Sequence, residues 1–260
     1  MNDKARQFIT LLFIIGMVAM SIIGQVSDLG GQAIDETSDE NYTLLNPAPY
    51  AFSIWGLIYL GLLGFGIYQA LPSQRENPRF QMAYRWVIVN AIANMLWYPA
   101  AYRQVWDNIV ANLLIIVMLF SLVQINRALL IRQTNVPAGE TWLARMPFAI
   151  YFGWVTVATV VSIASLLTYF GWNGGAVAPD IWAVITLLIA LIIACLAYLR
   201  VTNFAYLLVI AWGYIAIAVE QQDTSAVVYW SALVGALLAI VVGIATFFAK
   251  NQTAVVTEGR

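Results

Sequence analysis

Three stripes of side chains in this sequence have the types and spacing needed to grip a flat, apolar molecule. In "NPAPYAFSIWGLIYLG", residues 46–61, Phe52, Trp55 and Tyr59 recur at i, i+3 and i+7, which is one face of a helix. In "YRWVIVNAIANMLWYPAAY", Trp86, Asn90, Asn94 and Trp97 fall at i, i+4, i+8 and i+11. In "PFAIYFGWVTVATVVSIAS", Tyr151, Trp154, Ala158, Ser162 and Ser165 follow at i, i+3, i+7, i+11 and i+14. Aromatic faces supply stacking and burial, while amides and hydroxyls orient a ligand through hydrogen bonds. Acid–base and metal chemistry is poorly provided for. The chain has no histidine and one cysteine, Cys195, so zinc sites, His-ligated haem, Ser-His-Asp triads and Cys-His dyads each lack a part.

Each stripe also has a purely structural reading. Trp and Tyr gather at the headgroup level of a bilayer, and that suits Tyr50. Tyr59 stands nine residues further along, about 14 Å deeper at the helical rise of 1.5 Å per residue. An amide in hydrocarbon must find a partner inside the bundle. Asn90 and Asn94 are therefore expected to face inward, either as a ligand contact or as interhelical glue contributing about 0.6–2 kcal/mol per contact. Ala158 and Ser162 either leave a volume beside the helix or let a neighbour approach closely.

The elements that must carry these stripes follow from composition. Of 260 residues, 62% are hydrophobic and 10% charged, against about 25% charged in soluble domains. Apolar runs near the ~20 residues of a membrane-crossing helix recur along the chain. The reading is all-α: a polytopic membrane bundle of about eight transmembrane helices, near 8–26, 49–71, 84–101, 105–130, 148–170, 179–199, 203–220 and 226–249. Lys4, Arg6, Arg75, Arg79, Arg85, Arg127, Arg132, Arg145, Arg200, Lys250 and Arg260 fall in one set of loops and tails. Asp28, Asp35, Glu36, Asp39, Glu40, Asp107, Asp180, Glu220 and Asp223 fall in the other set. Basic loops stay in the cytoplasm, so both termini are expected there. The longest outside segment, 27–48, is acidic and aperiodic, the pattern of a lid or binding loop. It carries an Asn-Tyr-Thr sequon at Asn41, a tripeptide common by chance. The net charge of -1, with no basic face, offers nothing to nucleic acid. The expected partners are the lipid bilayer and a small hydrophobic ligand.

On these residues the first five spans resemble the TspO/MBR family, the tryptophan-rich sensory proteins related to the mitochondrial translocator protein. The likeness rests on Pro47, Pro49, Tyr50, Phe52, Trp55 and Tyr59 at the second span, and on Asn94, Trp97 and Pro99 as Asn-x-x-Trp-x-Pro in the third. Tyr151, Trp154, Ala158 and Thr159 carry it in the fifth. Two residues separate Phe52 from Trp55 where the family has three, Pro147 stands one turn early, and Ser162 replaces the family's Asn.

The resemblance covers about residues 8–170. It implies a family-like five-helix bundle over 1–171, followed by three added transmembrane helices over 172–260. It further implies a sensory protein of a bacterial cytoplasmic (inner) membrane, with a pocket beneath the loop between the first two helices. Tyr50, Phe52, Trp55, Tyr59, Asn90, Asn94, Trp97, Tyr151, Trp154, Ala158 and Ser162 are its expected lining. The ligand implied is a planar, porphyrin-like tetrapyrrole, with no cofactor or metal required. If porphyrin photodegradation occurs, light-generated radicals on Trp55 and Trp97 are its expected route. The alternatives are a small-solute transporter, which wants ionisable coupling groups at mid-membrane, and a structural accessory subunit. In the last span Ser231, Gly235, Ala239 and Gly243 stand four apart, a ridge for close packing or for a homodimer.

Overall fold

The structure is a computed structural model, and the residues described are 2–26, 42–101, 105–131, 136–172, 174–201 and 203–258. Residues 27–41, most of the acidic segment and its sequon at Asn41, lie outside them. The described chain forms eight long helices, and no strand occurs among the described residues. They are α1 (Asp3–Val26), α2 (Ile54–Ala70), α3 (Pro78–Ala101), α4 (Val105–Leu130), α5 (Met146–Tyr169), α6 (Pro179–Val201), α7 (Phe204–Gln221) and α8 (Ala226–Glu258). Prolines open several of them, where the missing N–H costs nothing and φ is already helical. Pro49 begins a 3-10 turn, Pro49–Ser53, that runs into α2 in place of the expected α-helical first turns.

Seven stretches are long and apolar enough to cross a membrane, and the protein is a polytopic helical membrane bundle. The expectation of about eight differs by α3. That helix is as long as α1 and α5 at 24 residues, but Arg79, Arg85, Asn90 and Asn94 make it too polar to qualify on composition. It packs between α1 and α4 and turns its amides inward, with Asn90 2% and Asn94 0% exposed. α8 also runs nine residues past the expected end at 249.

The arginine loops meet at one end of the bundle. Arg6 donates to the Arg75 carbonyl at 2.8 Å. Gln7 donates to the carbonyls of Gln69 and Leu71, and Gln69 returns a bond to the Gln7 carbonyl. These bonds satisfy carbonyls that the end of α2 leaves open. Glu140, 1% exposed, binds the Arg79 guanidinium through both oxygens, accepts from Asn77 Nδ2 at 3.1 Å, and lies 3.6 Å from Arg145 Nε. Thr141–Arg145 is wound as a π-helix. The i→i+5 winding brings residues five apart onto one side, which is the separation of Glu140 and Arg145.

The last three helices share a single hydrophobic core with the first five, continuous across residue 171. α7 packs on α5, where a Cβ on Gly153 would stand 2.8 Å from the Tyr206 carbonyl oxygen and one on Gly213 would stand 2.9 Å from Val157. α7 also holds the entry to α2: Ala48 N–H donates to the Ala216 carbonyl at 3.0 Å, and Trp212 Nε1 donates to the Ala51 carbonyl at 3.3 Å. The small-residue ridge of α8 makes its close approach within the chain. Gly235 lies under the Tyr214 ring, Gly243 under Phe204, and Ala239 is fully buried.

Candidate functional site

Side chains of α2, α3, α4 and α5 converge inside the bundle on Asn94. Its Nδ2 donates to Tyr151 Oη at 3.0 Å, with Met118 Sδ at 3.7 Å, and its Oδ1 accepts from Tyr59 Oη at 3.4 Å. The Tyr59 hydroxyl also shares a 3.0 Å bond with Tyr98, and Tyr151 points its hydroxyl at Met118 Sδ, 3.4 Å away. Such pairing is what the membrane interior demands, since lipid offers no partner. Aromatic contacts clasp the cluster from α2. Trp55 stacks on Tyr59 with centroids 5.3 Å apart and planes 18° apart, and meets Tyr151 edge-on at 5.8 Å. Phe52 meets Trp154 edge-on at 5.7 Å. Phe52 and Trp55 are half-buried and form the outer wall, whereas Tyr59, Asn94, Tyr151 and Trp154 are buried.

Two indole N–H groups stand apart from this economy. Trp154 is 2% exposed, yet its Nε1 has no hydrogen-bond partner among the described residues, and the buried Nε1 of Trp97 has none among them either. Buried donors are nearly always paired, so each exception calls for an explanation.

Of the expected lining, then, Phe52, Trp55, Tyr59, Asn94, Tyr151 and Trp154 are brought together. Others go elsewhere. Tyr50 is 42% exposed and packs edge-on against Trp212 of α7. Asn90 donates to the Met118 carbonyl at 3.2 Å and to Ser121 Oγ at 2.9 Å, and so ties α3 to α4. Trp97 stands at the edge of the cluster rather than in it, half-buried against its neighbour Tyr98, whose hydroxyl bonds Tyr59. Ala158 and Ser162 are half-buried. Sequence reasoning missed Tyr98 and Met118. Tyr98 had one signal in the sequence: it follows Asn94 by four residues, which makes the two neighbours on the helix surface.

An open volume lies on the other face of α5. A cavity of about 780 Å³ separates α5 from α6 beneath Tyr42–Leu45, and none of the expected lining residues borders it. Val160, Ile163, Ala164, Leu167 and Thr168 form its α5 wall. They occupy the side of the helix opposite Tyr151, Ala158 and Ser162, at 100° per residue. This cavity thus lies half a turn away from Ala158 and Ser162. There Ala164 faces Ala183 and Ala190 of α6, side chains too short to bridge the gap between the helices.

A family model described as TSPO-like protein matches residues 7–245. The match continues past residue 170 through α6 and α7 and most of α8, the three helices set apart on sequence. No curated protein and no solved structure matches the chain.

Proposed function

This chain belongs to the TSPO-like protein family, whose character is that of membrane sensory and binding proteins, and from that premise we propose that it binds a planar hydrophobic ligand in the aromatic chamber around Asn94. The ligand class is a porphyrin-like tetrapyrrole, or another flat ring system bearing carbonyl or carboxylate acceptors. The observation that carries this reading is the pair of buried, unpartnered indole donors at Trp97 and Trp154 beside a cluster whose amide and phenol groups are all paired. Two spare N–H groups ask for acceptors that the described residues do not supply.

Trp55 is the movable wall in this reading. Its offset stack on Tyr59 is the kind of contact a porphyrin ring makes, so ligand entry exchanges one aromatic stack for another at small net cost. Asn94 and Tyr59 then orient the ring edge, and acceptors on the ligand meet the indoles.

The test is a titration of the purified protein with protoporphyrin, following quenching of its ten tryptophans, in wild type and in Trp55→Leu. Saturable quenching is expected in wild type, with at least a tenfold weaker Kd in the variant. Quenching that rises without saturation, or an unchanged Kd, would sink the reading.

A further inference from the structure

The cavity between α5 and α6 has no part in the aromatic chamber, and its chemistry is different. Three features define what it can hold.

The first is depth. The α6 wall runs from Pro179 and Trp182 at the mouth to Ile193. Trp182 to Ile193 is eleven residues, or about 16 Å of helix. That is close to one leaflet of a hydrocarbon core of about 30 Å. Ile163, Leu167, Ile189 and Ile193 along it are 41–55% exposed, so the groove opens sideways toward lipid.

The second is a fixed mouth. Trp182 Nε1 donates to the Gly174 carbonyl at 2.7 Å, and the Trp182 ring meets Trp172 edge-on at 5.0 Å. Gly174 has φ +87°, and a Cβ there would stand 2.3 Å from Trp182, so only glycine permits this closure. On the other side, the Tyr42 hydroxyl accepts from Gln221 at 2.6 Å. The opening is held by directed bonds rather than by loose packing.

The third is polarity. Among the described residues that line the groove none is charged, and the polar ones include Thr43, Thr168 and Thr186. Thr168 Oγ1 donates to the Ala164 carbonyl and Thr186 Oγ1 to the Trp182 carbonyl. With their protons committed, these two hydroxyls can only accept. A phosphate or carboxylate head would find neither a cation nor a free hydroxyl proton on them. A head carrying its own O–H would find two acceptors.

We propose that this groove is a binding site for one acyl chain of an uncharged, hydroxyl-bearing lipid such as a diacylglycerol, entering sideways from the leaflet at the end opposite the arginines. The chain lies along Ala164, Ala183 and Ala190, and the head hydroxyl donates to Thr168 or Thr186.

The experiment reconstitutes the full chain in phosphatidylcholine vesicles with a trace of diacylglycerol carrying a diazirine in its acyl chain. A phosphatidylcholine with the same chain is run in parallel. Labelled peptides are mapped after irradiation. The diacylglycerol probe is expected to mark 163–168 and 186–193 at least tenfold more than the exposed face of α8 around Leu237 and Val241. Excess unlabelled diacylglycerol, and separately Ala190→Phe or Ala164→Phe, should suppress that labelling at least fivefold. The wild-type map alone decides the matter if either variant folds poorly. Even labelling of all lipid-facing helices, equal labelling by the phosphatidylcholine probe, or labelling that survives a filled groove overturns the proposal. Protoporphyrin titration of Ala190→Phe should give the wild-type Kd, so failure here is separable from failure of the aromatic chamber.

Discussion

Two buried polar knots hold this bundle, and they are built from opposite materials. The knot at the arginine end is ionic: Glu140 between Arg79 and Arg145, with Asn77 as a fourth member. The inner knot is neutral: Asn94 with Tyr59, Tyr98 and Tyr151. A carboxylate so deeply buried is tolerable only with its guanidinium partners in place, so the ionic knot cannot exchange Glu140's partners for a guest without a large loss of stability. Neutral hydrogen bonds contribute only about 0.5–1.5 kcal/mol each and can be traded for bonds to a guest. The ionic knot therefore serves stability, and the neutral knot can serve recognition as well. This division can be broken experimentally, knot by knot.

The largest effect is expected at Glu140. Glu140→Ala leaves Arg79 and Arg145 without their shared partner, and breaking a buried ion pair in this way costs about 3–5 kcal/mol. Unfolding of the detergent-solubilised protein by heat or by added SDS measures that loss. The protoporphyrin Kd of the folded fraction should stay within about twofold of wild type, since among the described residues no hydrogen bond links the two knots. A large change in Kd with little loss of stability would reverse the assignment of roles.

Asn94→Leu comes next. It removes one acceptor for Tyr59 and the donor to Tyr151 at once, leaving these phenols with only Tyr98 and the weak Met118 sulfur in a place that 0% exposure closes to water. Unpairing buried polar groups costs about 1–3 kcal/mol. Affinity for protoporphyrin should fall at least tenfold with it, because the ring loses its orienting amide. If stability falls while affinity holds, Asn94 is glue alone, as Asn90 is between α3 and α4.

How far these knots could be read in advance differs for the same physical reason. Helix number and the inward turn of Asn90 and Asn94 were legible, because long apolar runs and amides in hydrocarbon each have one cheap solution. The 151 and 154 positions were legible from spacing along α5. The Glu140 knot was not: Arg79 lies 61 residues away, and Arg145 reaches it only through the π-wound turn. Nor was the groove, since its position depends on which helix covers the far side of α5 and how closely. That is a property of α6 and of Tyr42–Leu45, which no stripe within α5 encodes. Treating α6–α8 as an addition also hid the role of α7, whose Ala216 and Trp212 hold the entry to α2.

The smallest expected effect is the sharpest test of the neutral knot. Trp154→Phe keeps an aromatic ring against Phe52 and deletes only the unpartnered indole N–H together with part of the ring. Burying that donor without an acceptor already costs the folded protein about 1–3 kcal/mol, and the smaller phenyl ring forfeits a comparable amount of packing. Stability should therefore change little, by about 1 kcal/mol or less in either direction, unlike the two variants above. Binding should not be so indifferent. A bond from the indole to a ligand acceptor is worth about 0.5–1.5 kcal/mol, or up to about tenfold in Kd. Loss of affinity at constant stability ties the spare donor to the ligand, because a role in the fold alone would move the second quantity and not the first. Equal affinity in the two proteins would make the unpaired indole a packing compromise and remove the main support for the chamber as a receptor.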